Sequence, residues 1–294
     1  MGYERLRQQA TGNYTFESEY YDDDGVSHHV TAPVSLTIKN GAGATIYTGT
    51  PTLHAGHLDI TLPVTTLPLL DTYSFTWTGT KAAVTVTWTD IVELVGGYLF
   101  EISDLRKADR AFLDTDKYPT DVLKQIRNWV EDVIEGERAA DVAFVPRARR
   151  VVVNGSAVYD RATGAFGLYV PDYVVTRLYS ASVNGSALTN TQVSAIVCDD
   201  DTLWSKDTTW PAGNKNVSLH YVHGYNLVPG AITRAALLLA REYLVKSDLP
   251  SRASATSIGD QIFRLTIAGR DGITGLPDVD AAIEQFGRKG FQVG

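Results

Sequence analysis

Apolar and polar residues alternate in short stretches over the first third of the chain. Val34, Leu36 and Ile38 alternate with Ser35, Thr37 and Lys39, and Asn40-Gly41 follows as a hairpin turn signal. Leu58, Ile60 and Leu62 repeat the pattern, as do Tyr73, Phe75 and Trp77, and then Val84, Val86 and Trp88. The phase next moves by one, to Ile91, Glu93 and Val95, which predicts a bulge or an exit from the sheet. A period of two gives each strand one buried and one wet face. Strands at this density predict an all-β two-sheet sandwich over 1–95, with threonines on its wet faces.

After Gly96-Gly97 the period changes. A short helix is predicted over 103–110 with Ser103 as N-cap, and a longer one over 119–138. In the longer helix Val122, Ile126, Trp129, Val130 and Val133 fall on one face, which reads as the buried one. Residues 142–225 return to strand signals and contain the string VNGS twice, at 153–156 and 183–186, read as one turn used twice. Val217, Leu219 and Tyr221 alternate in the last strand there. A helix over 229–247 follows, with Ile232, Ala235, Ala236, Leu239 and Tyr243 on one face. Residues 251–275 read as a long loop that could hold a short strand near 262–267. Pro277 opens a last helix over 277–286 with Val279, Ile283 and Phe286 inward. The fold class expected is a multidomain α+β protein: a β-sandwich, then a helical bundle interrupted by a β-rich insertion at 142–225.

Charge sharpens this layout. The 294 residues carry a net charge of −8. Residues 1–94 hold ten acidic and four basic side chains, a net of −6, so most of the acidity sits in the predicted sandwich. A protein that grips nucleic-acid phosphates would be basic. The single cysteine, Cys198, rules out a disulfide within the chain and any CxxC metal site. Met1–Ala10 has no apolar stretch, and the longest apolar run, Ala235–Ala240, is too short to span a bilayer. A soluble protein made in a cytoplasm, without membrane contact, is expected.

Candidate chemistry is sparse. No nucleophile elbow, P-loop, dinucleotide fingerprint or HExxH motif is present. Cys198 precedes Asp199, Asp200 and Asp201, whose negative charge opposes thiolate formation. Of three histidine pairs, His28-His29 and His220/His223 point to opposite strand faces. His54 and His57 could converge across a turn but need further ligands from elsewhere. Asp22-Asp23-Asp24-Gly25 lacks the ligand spacing of a calcium loop and reads as a hairpin tip. Arg147, Arg149 and Arg150 form the densest basic cluster, read as a charged strand edge or a possible protein interface. Trp129 and Tyr243 read as core, and Trp204 and Trp210 as core-edge. No catalytic residue, cofactor or metal is therefore assigned, and the protein is expected not to be an enzyme. A carbohydrate- or surface-binding β-sandwich module remains the alternative, and would need Trp77 or Trp88 on an open face.

Certain segments taken in order carry a resemblance. GGYLFEISDLRKADRAFLDTDKYPTDVLKQIRNWVEDVIEGE (96–137) is followed by Trp210-Pro211, the strand ending Tyr221-Val-His-Gly224, and Pro229 opening a helix. Arg252 and Gly259 come next, and Pro277-Asp-Val-Asp280 opens the last helix. Over about 96–294 this arrangement resembles the head-to-tail adaptor (head-completion or connector) proteins of tailed bacteriophages. The first third lies outside that core and resembles an immunoglobulin-like domain, a frequent addition to phage virion proteins. The resemblance implies a virion protein of the neck, assembled in the bacterial host cytoplasm. It implies a self-assembled ring, commonly a dodecamer, beneath the portal protein. A downstream connector, stopper or tail completion protein would dock on the other side, and DNA would pass through without specific binding. A net acidic conduit suits that passage, because each phosphate contact would add drag. C-terminal segments of such adaptors reach onto the portal, which assigns Arg288, Lys289 and Phe291 of the basic tail to portal binding.

Overall fold

The computed structural model of the protein describes residues 2–54, 57–136, 139–155, 158–245, 255–258, 261–264 and 273–287. The chain is mixed α+β and mostly β, with 43% of residues in strands and 24% in helices. No helix among the described residues is long and apolar enough to cross a membrane.

Up to Val95 the regular structure is strand, broken by one 3-10 turn at Val64–Thr66. The strands are β1 (Tyr3–Arg7), β2 (Asn13–Ser18), β3 (Tyr20–Tyr21), β4 (Ser27–His28), β5 (Thr31–Lys39), β6 (Thr45–Gly49), β7 (Thr52–His54), β8 (His57–Pro63), β9 (Asp71–Lys81) and β10 (Val84–Val95). One sheet runs β1-β10-β9-β5-β6, with β1 parallel to β10; the second runs β2-β8-β7. Their apolar faces share one core. Phe16 and Leu58 come from one sheet, Leu36, Phe75 and Trp77 from the other, and the Phe16 and Phe75 rings lie 4.5 Å apart. Threonines pair on the outer faces, as Thr15–Thr61 and Thr76–Thr89 do.

The expected bulge in β10 is absent. Its register against β9 is unbroken from Val84↔Lys81 to Leu94↔Asp71. Asp90 keeps the phase of Val86, Trp88, Val92 and Leu94, and is satisfied there by the Gly2 N–H at 2.7 Å and by the Ser18 hydroxyl. The apparent shift arises because the opposite face of β10 is covered as well, so Ile91, Glu93 and Val95 are half-buried or buried.

Next come α1 (Ile102–Ala108), a 3-10 turn at Arg110–Leu113, and α2 (Thr120–Glu135). The residue capping α1 is Glu101, not Ser103. Strands then return: β11 (Arg147–Gly155), β12 (Val158–Asp160), β13 (Ala165–Tyr169), β14 (Val175–Val183), β15 (Ser186–Ala187), β16 (Val197–Asp199), β17 (Thr202–Ser205) and β18 (Gly213–His223), with α3 (Asn190–Ser194) between β15 and β16. They form two four-stranded sheets, β11-β18-β14-β15 and β12-β13-β17-β16, around a core holding Leu203, Trp210, Val217, Leu219 and Tyr221. Val217, Leu219 and Tyr221 alternate inward as the sequence predicts. His220 and Val222 on the opposite face are buried too, with Val222 joining the core of the first 95 residues.

The two VNGS strings fold differently. Asn184-Gly185 forms the expected turn, with φ of 51° and 79°. Asn154 and Gly155 stay in β11, where Asn154 Oδ1 accepts the Lys215 N–H and Asn216 Oδ1 accepts the Gly155 N–H. The amide oxygens of Asn154 and Asn216 thus accept across the strand pair, and both residues of the Asn154-Gly155 dipeptide remain in the strand.

The last elements are α4 (Gly230–Leu244), a hairpin of β19 (Ala255–Ile258) and β20 (Gln261–Arg264), and α5 (Pro277–Phe286). Helices α1, α2, α4 and α5 contribute to one apolar cluster: Leu105, Val130, Ile134, Ile232, Ala236, Leu239, Val279 and Ile283 are buried in it. The chain passes from β18 into this cluster at Gly224, whose φ is +101°. A Cβ there would sit 2.3 Å from the Val145 carbonyl oxygen, so only glycine fits the crossing.

Candidate functional site

The sequence pattern places the buried face of α2 only in part: Val130 is buried, and Ile126 and Val133 are half-buried against the core. The residues that bury are Leu123, Arg127, Val130, Glu131 and Ile134. Val122 and Trp129, read as core, are 42% and 39% exposed. The helix is turned because its inner face carries two charged side chains that find partners. Arg127 lies over the Tyr98 ring, and Glu131 accepts the Leu99 N–H at 3.0 Å. A charged pair at i and i+4 inside an apolar stripe was the signal for this arrangement.

Glu131 belongs to a buried ionic junction between the three parts of the fold. Arg5 on β1 and Glu93 on β10 are register partners. Arg5 donates from Nε to Glu93 at 2.8 Å, from Nη1 to Glu131 at 2.8 Å and from Nη2 to Asp132 at 2.9 Å. Arg147, at the start of β11, donates from Nη1 to Glu93 at 2.7 Å and from Nε to Glu135 at 2.9 Å. Glu135 in turn accepts the Phe144 N–H at 2.6 Å. Burial alone would raise the Glu93 carboxyl, but Arg147 and Arg5 outweigh it and carry the group down to about 2. Glu135 goes the other way: burial dominates and raises it despite Arg147. Both guanidinium groups lose hydration on burial, yet the surrounding carboxylates hold their pKa above the usual arginine value.

This placement shows how the arginine cluster is used. Arg147 is buried in the junction, Arg149 pairs with Asp172, and Arg150 pairs with Asp71 at 2.6 Å. β11 is an edge strand, as read from the sequence. Arg147 and Arg150 meet other parts of the same chain, and Arg149 stays half-exposed. The sequence could not find Arg5, Glu93 and Glu135 as partners, because nothing local marks the pairing of β1 with β10. Arg288, Lys289 and Phe291 lie outside the described residues.

The outer helix face carries the apolar surface that the core does not use. Trp129 on α2 stacks edge-on with Tyr243 on α4, which is 46% exposed and therefore also not core. Val122 lies two turns from Trp129 on the same side of α2, while the exposed Leu238 and Val245 of α4 and its end lie elsewhere, beside the start of α5. Exposed aromatics backed by rigid helices are typical of association surfaces.

Other candidates resolve into structural roles. Cys198 is half-buried and its thiol is pushed up by burial. Trp210 is fully buried, Trp204 is half-buried, Trp77 is buried, and Trp88 is half-buried with its Nε1 donating to Ser18. Asp22 closes the β3–β4 hairpin by accepting the Asp24 and Val26 N–H groups and pairing with His28. His220 and His223 are both depressed, chiefly by burial. His54 and His57 do approach, with ring centroids 5.6 Å apart, and His57 also meets Glu17 and Asp59.

No family model matches the chain, and no curated protein matches it.

Proposed function

We propose that the protein is a structural subunit of a tailed-phage neck, a head-to-tail adaptor that assembles as a ring, commonly twelvefold, beneath the portal. In this reading residues 1–95 are an immunoglobulin-like sandwich, and 96–294 are the adaptor domain, a helical bundle with a β-rich insertion. The observation that carries it is the outer surface where α2 meets the end of α4: Val122, Trp129 and Tyr243 stay exposed there on helices packed firmly from behind. A second copy of the same chain is the occupant that fits. A ring subunit needs a rigid apolar face to meet its neighbour. The order of elements from α1 to α5 supports the same reading. The carbohydrate-binding alternative needs an aromatic platform, whereas Trp77 points into the sandwich core.

A single substitution tests the reading. Trp129→Glu places a charge on the outer face without touching the core. Mass photometry of the wild-type chain mixed with its portal protein should show portal-bound rings. The variant should remain monomeric by the same measurement, with an unchanged circular dichroism spectrum. Rings formed equally well by the variant would remove α2 from the interface.

A further inference from the structure

The outer face of the β2-β8-β7 sheet brings together three ligand-bearing side chains that the sequence keeps far apart. Glu17 on β2 and Asp59 on β8 are direct cross-strand partners. Like charges placed directly opposite each other destabilise a strand pair. His57 lies two residues before Asp59 on β8, hence on the same face. Its Nε2 sits 3.1 Å from Glu17 Oε1 and 3.3 Å from Asp59 Oδ1. The three ligand atoms all lie within 4.8 Å of one another.

The two separations from His57 have a chemical meaning. Around a tetrahedral zinc ion, with bonds of about 2.0–2.1 Å, neighbouring ligand atoms stand roughly 3.3 Å apart. Asp59 Oδ1 itself is hidden from solvent; its near neighbour is His57 Nε2 at 3.3 Å, and no hydrogen bond forms to it among the described residues. A shielded carboxylate oxygen facing an imidazole nitrogen without a hydrogen bond between them is an arrangement that a shared cation would satisfy. Glu17 is 65% exposed at the side chain, so the site opens to solvent on one side and a water can complete the coordination.

We propose that Glu17, His57 and Asp59 bind a divalent ion of the zinc class on the sandwich surface. An imidazole nitrogen combined with two carboxylates favours zinc over calcium, which prefers oxygen alone. The ion neutralises the opposed carboxylates and staples β2 to β8. Sequence spacing shows only the His54/His57 pair. His54 packs its ring against His57 but is not one of the converging ligands.

Calorimetric titration of the chelator-stripped full chain with zinc chloride at neutral pH tests the site. One saturable site per chain is expected. Asp59→Asn and His57→Ala should each weaken it by at least about tenfold, while His54→Ala should hold it within about threefold. Asp59→Asn removes one of two opposed charges, so the metal-free variant should melt no lower than the wild type. Zinc should raise the melting temperature of the wild type and leave that of the variant unmoved. Four outcomes would overturn the proposal: no saturable binding, binding that survives Asp59→Asn, binding that depends on His54 alone, or calcium bound as tightly as zinc.

Discussion

Arg147→Ala should destabilise the fold by about 3–5 kcal/mol, the cost of stranding buried carboxylates by removing their partner. Arg147 contacts Glu93, Glu131 and Glu135, and its side chain is only 12% exposed. With it gone, Glu135 keeps the Phe144 N–H and Glu93 keeps Arg5, but neither retains enough positive charge to offset burial. Arg149→Ala is the internal comparison. Arg149 is half-exposed, and its partner Asp172 also accepts the Tyr221 hydroxyl, so the loss should stay below about 1 kcal/mol. Urea denaturation of the two variants, followed by circular dichroism, separates these expectations. Equal small losses would mean that the junction is not holding the parts together.

The same junction sets an acid limit. Glu93 titrates at about 2 in the folded chain, below its ordinary value of 4.5. A depressed carboxylate contributes stability that is complete above its unfolded pKa and is lost as the pH falls toward the folded one. The contribution of Glu93 should therefore fade between about pH 4.5 and about pH 2, and amounts to about 3 kcal/mol when complete. Glu135 works against this trend. Its raised pKa means that protonation begins earlier and relieves its burial. In Arg147→Ala the acid unfolding limb should move to higher pH, because Glu93 then has one arginine instead of two.

Trp210→Ala should cost about 3–5 kcal/mol, the range for emptying a fully buried large aromatic site. Trp210 is 0% exposed and lies among Leu168, Leu203, Val217 and Leu219, where the two sheets of the β-rich part meet. Its Nε1 has no hydrogen-bond partner among the described residues. Trp210→Phe keeps most of the apolar volume and strands no acceptor, so it should recover a large part of the loss. Thermal melts of the two variants check this. An alanine variant that melts with the wild type would mean that the two sheets do not share this core.

The sequence reading succeeds where one periodicity meets one environment. The alternation of Leu36, Ile38, Phe75 and Trp77 marks residues that share a core. Ile232, Ala235, Ala236 and Leu239 on α4 behave in the same way. It fails where a segment is covered on both sides. Glu93 and Val95 look like a change of phase because the second face of β10 is covered as well, at Glu93 by Arg5 of β1 and Arg147 of β11. Trp129 looks like core because the true inner stripe of α2 contains Arg127 and Glu131, which only distant partners make tolerable. Charge arithmetic likewise sets the first 95 residues apart as the acidic part of the chain. Arg5 and Glu93 tie them to α2 and β11, so a chain truncated at residue 96 would leave Glu131 and Arg147 short of buried partners. The approach of Glu17 to His57 and Asp59 depends on strand register across about forty residues, which no local pattern carries.

The adaptor reading is tested most directly by imaging the full-length chain mixed with its portal protein by negative-stain electron microscopy. The account predicts portal particles capped on one face by an added ring, with an open channel along the axis. Portals that stay bare beside monomeric protein, at concentrations where both remain folded, would contradict it.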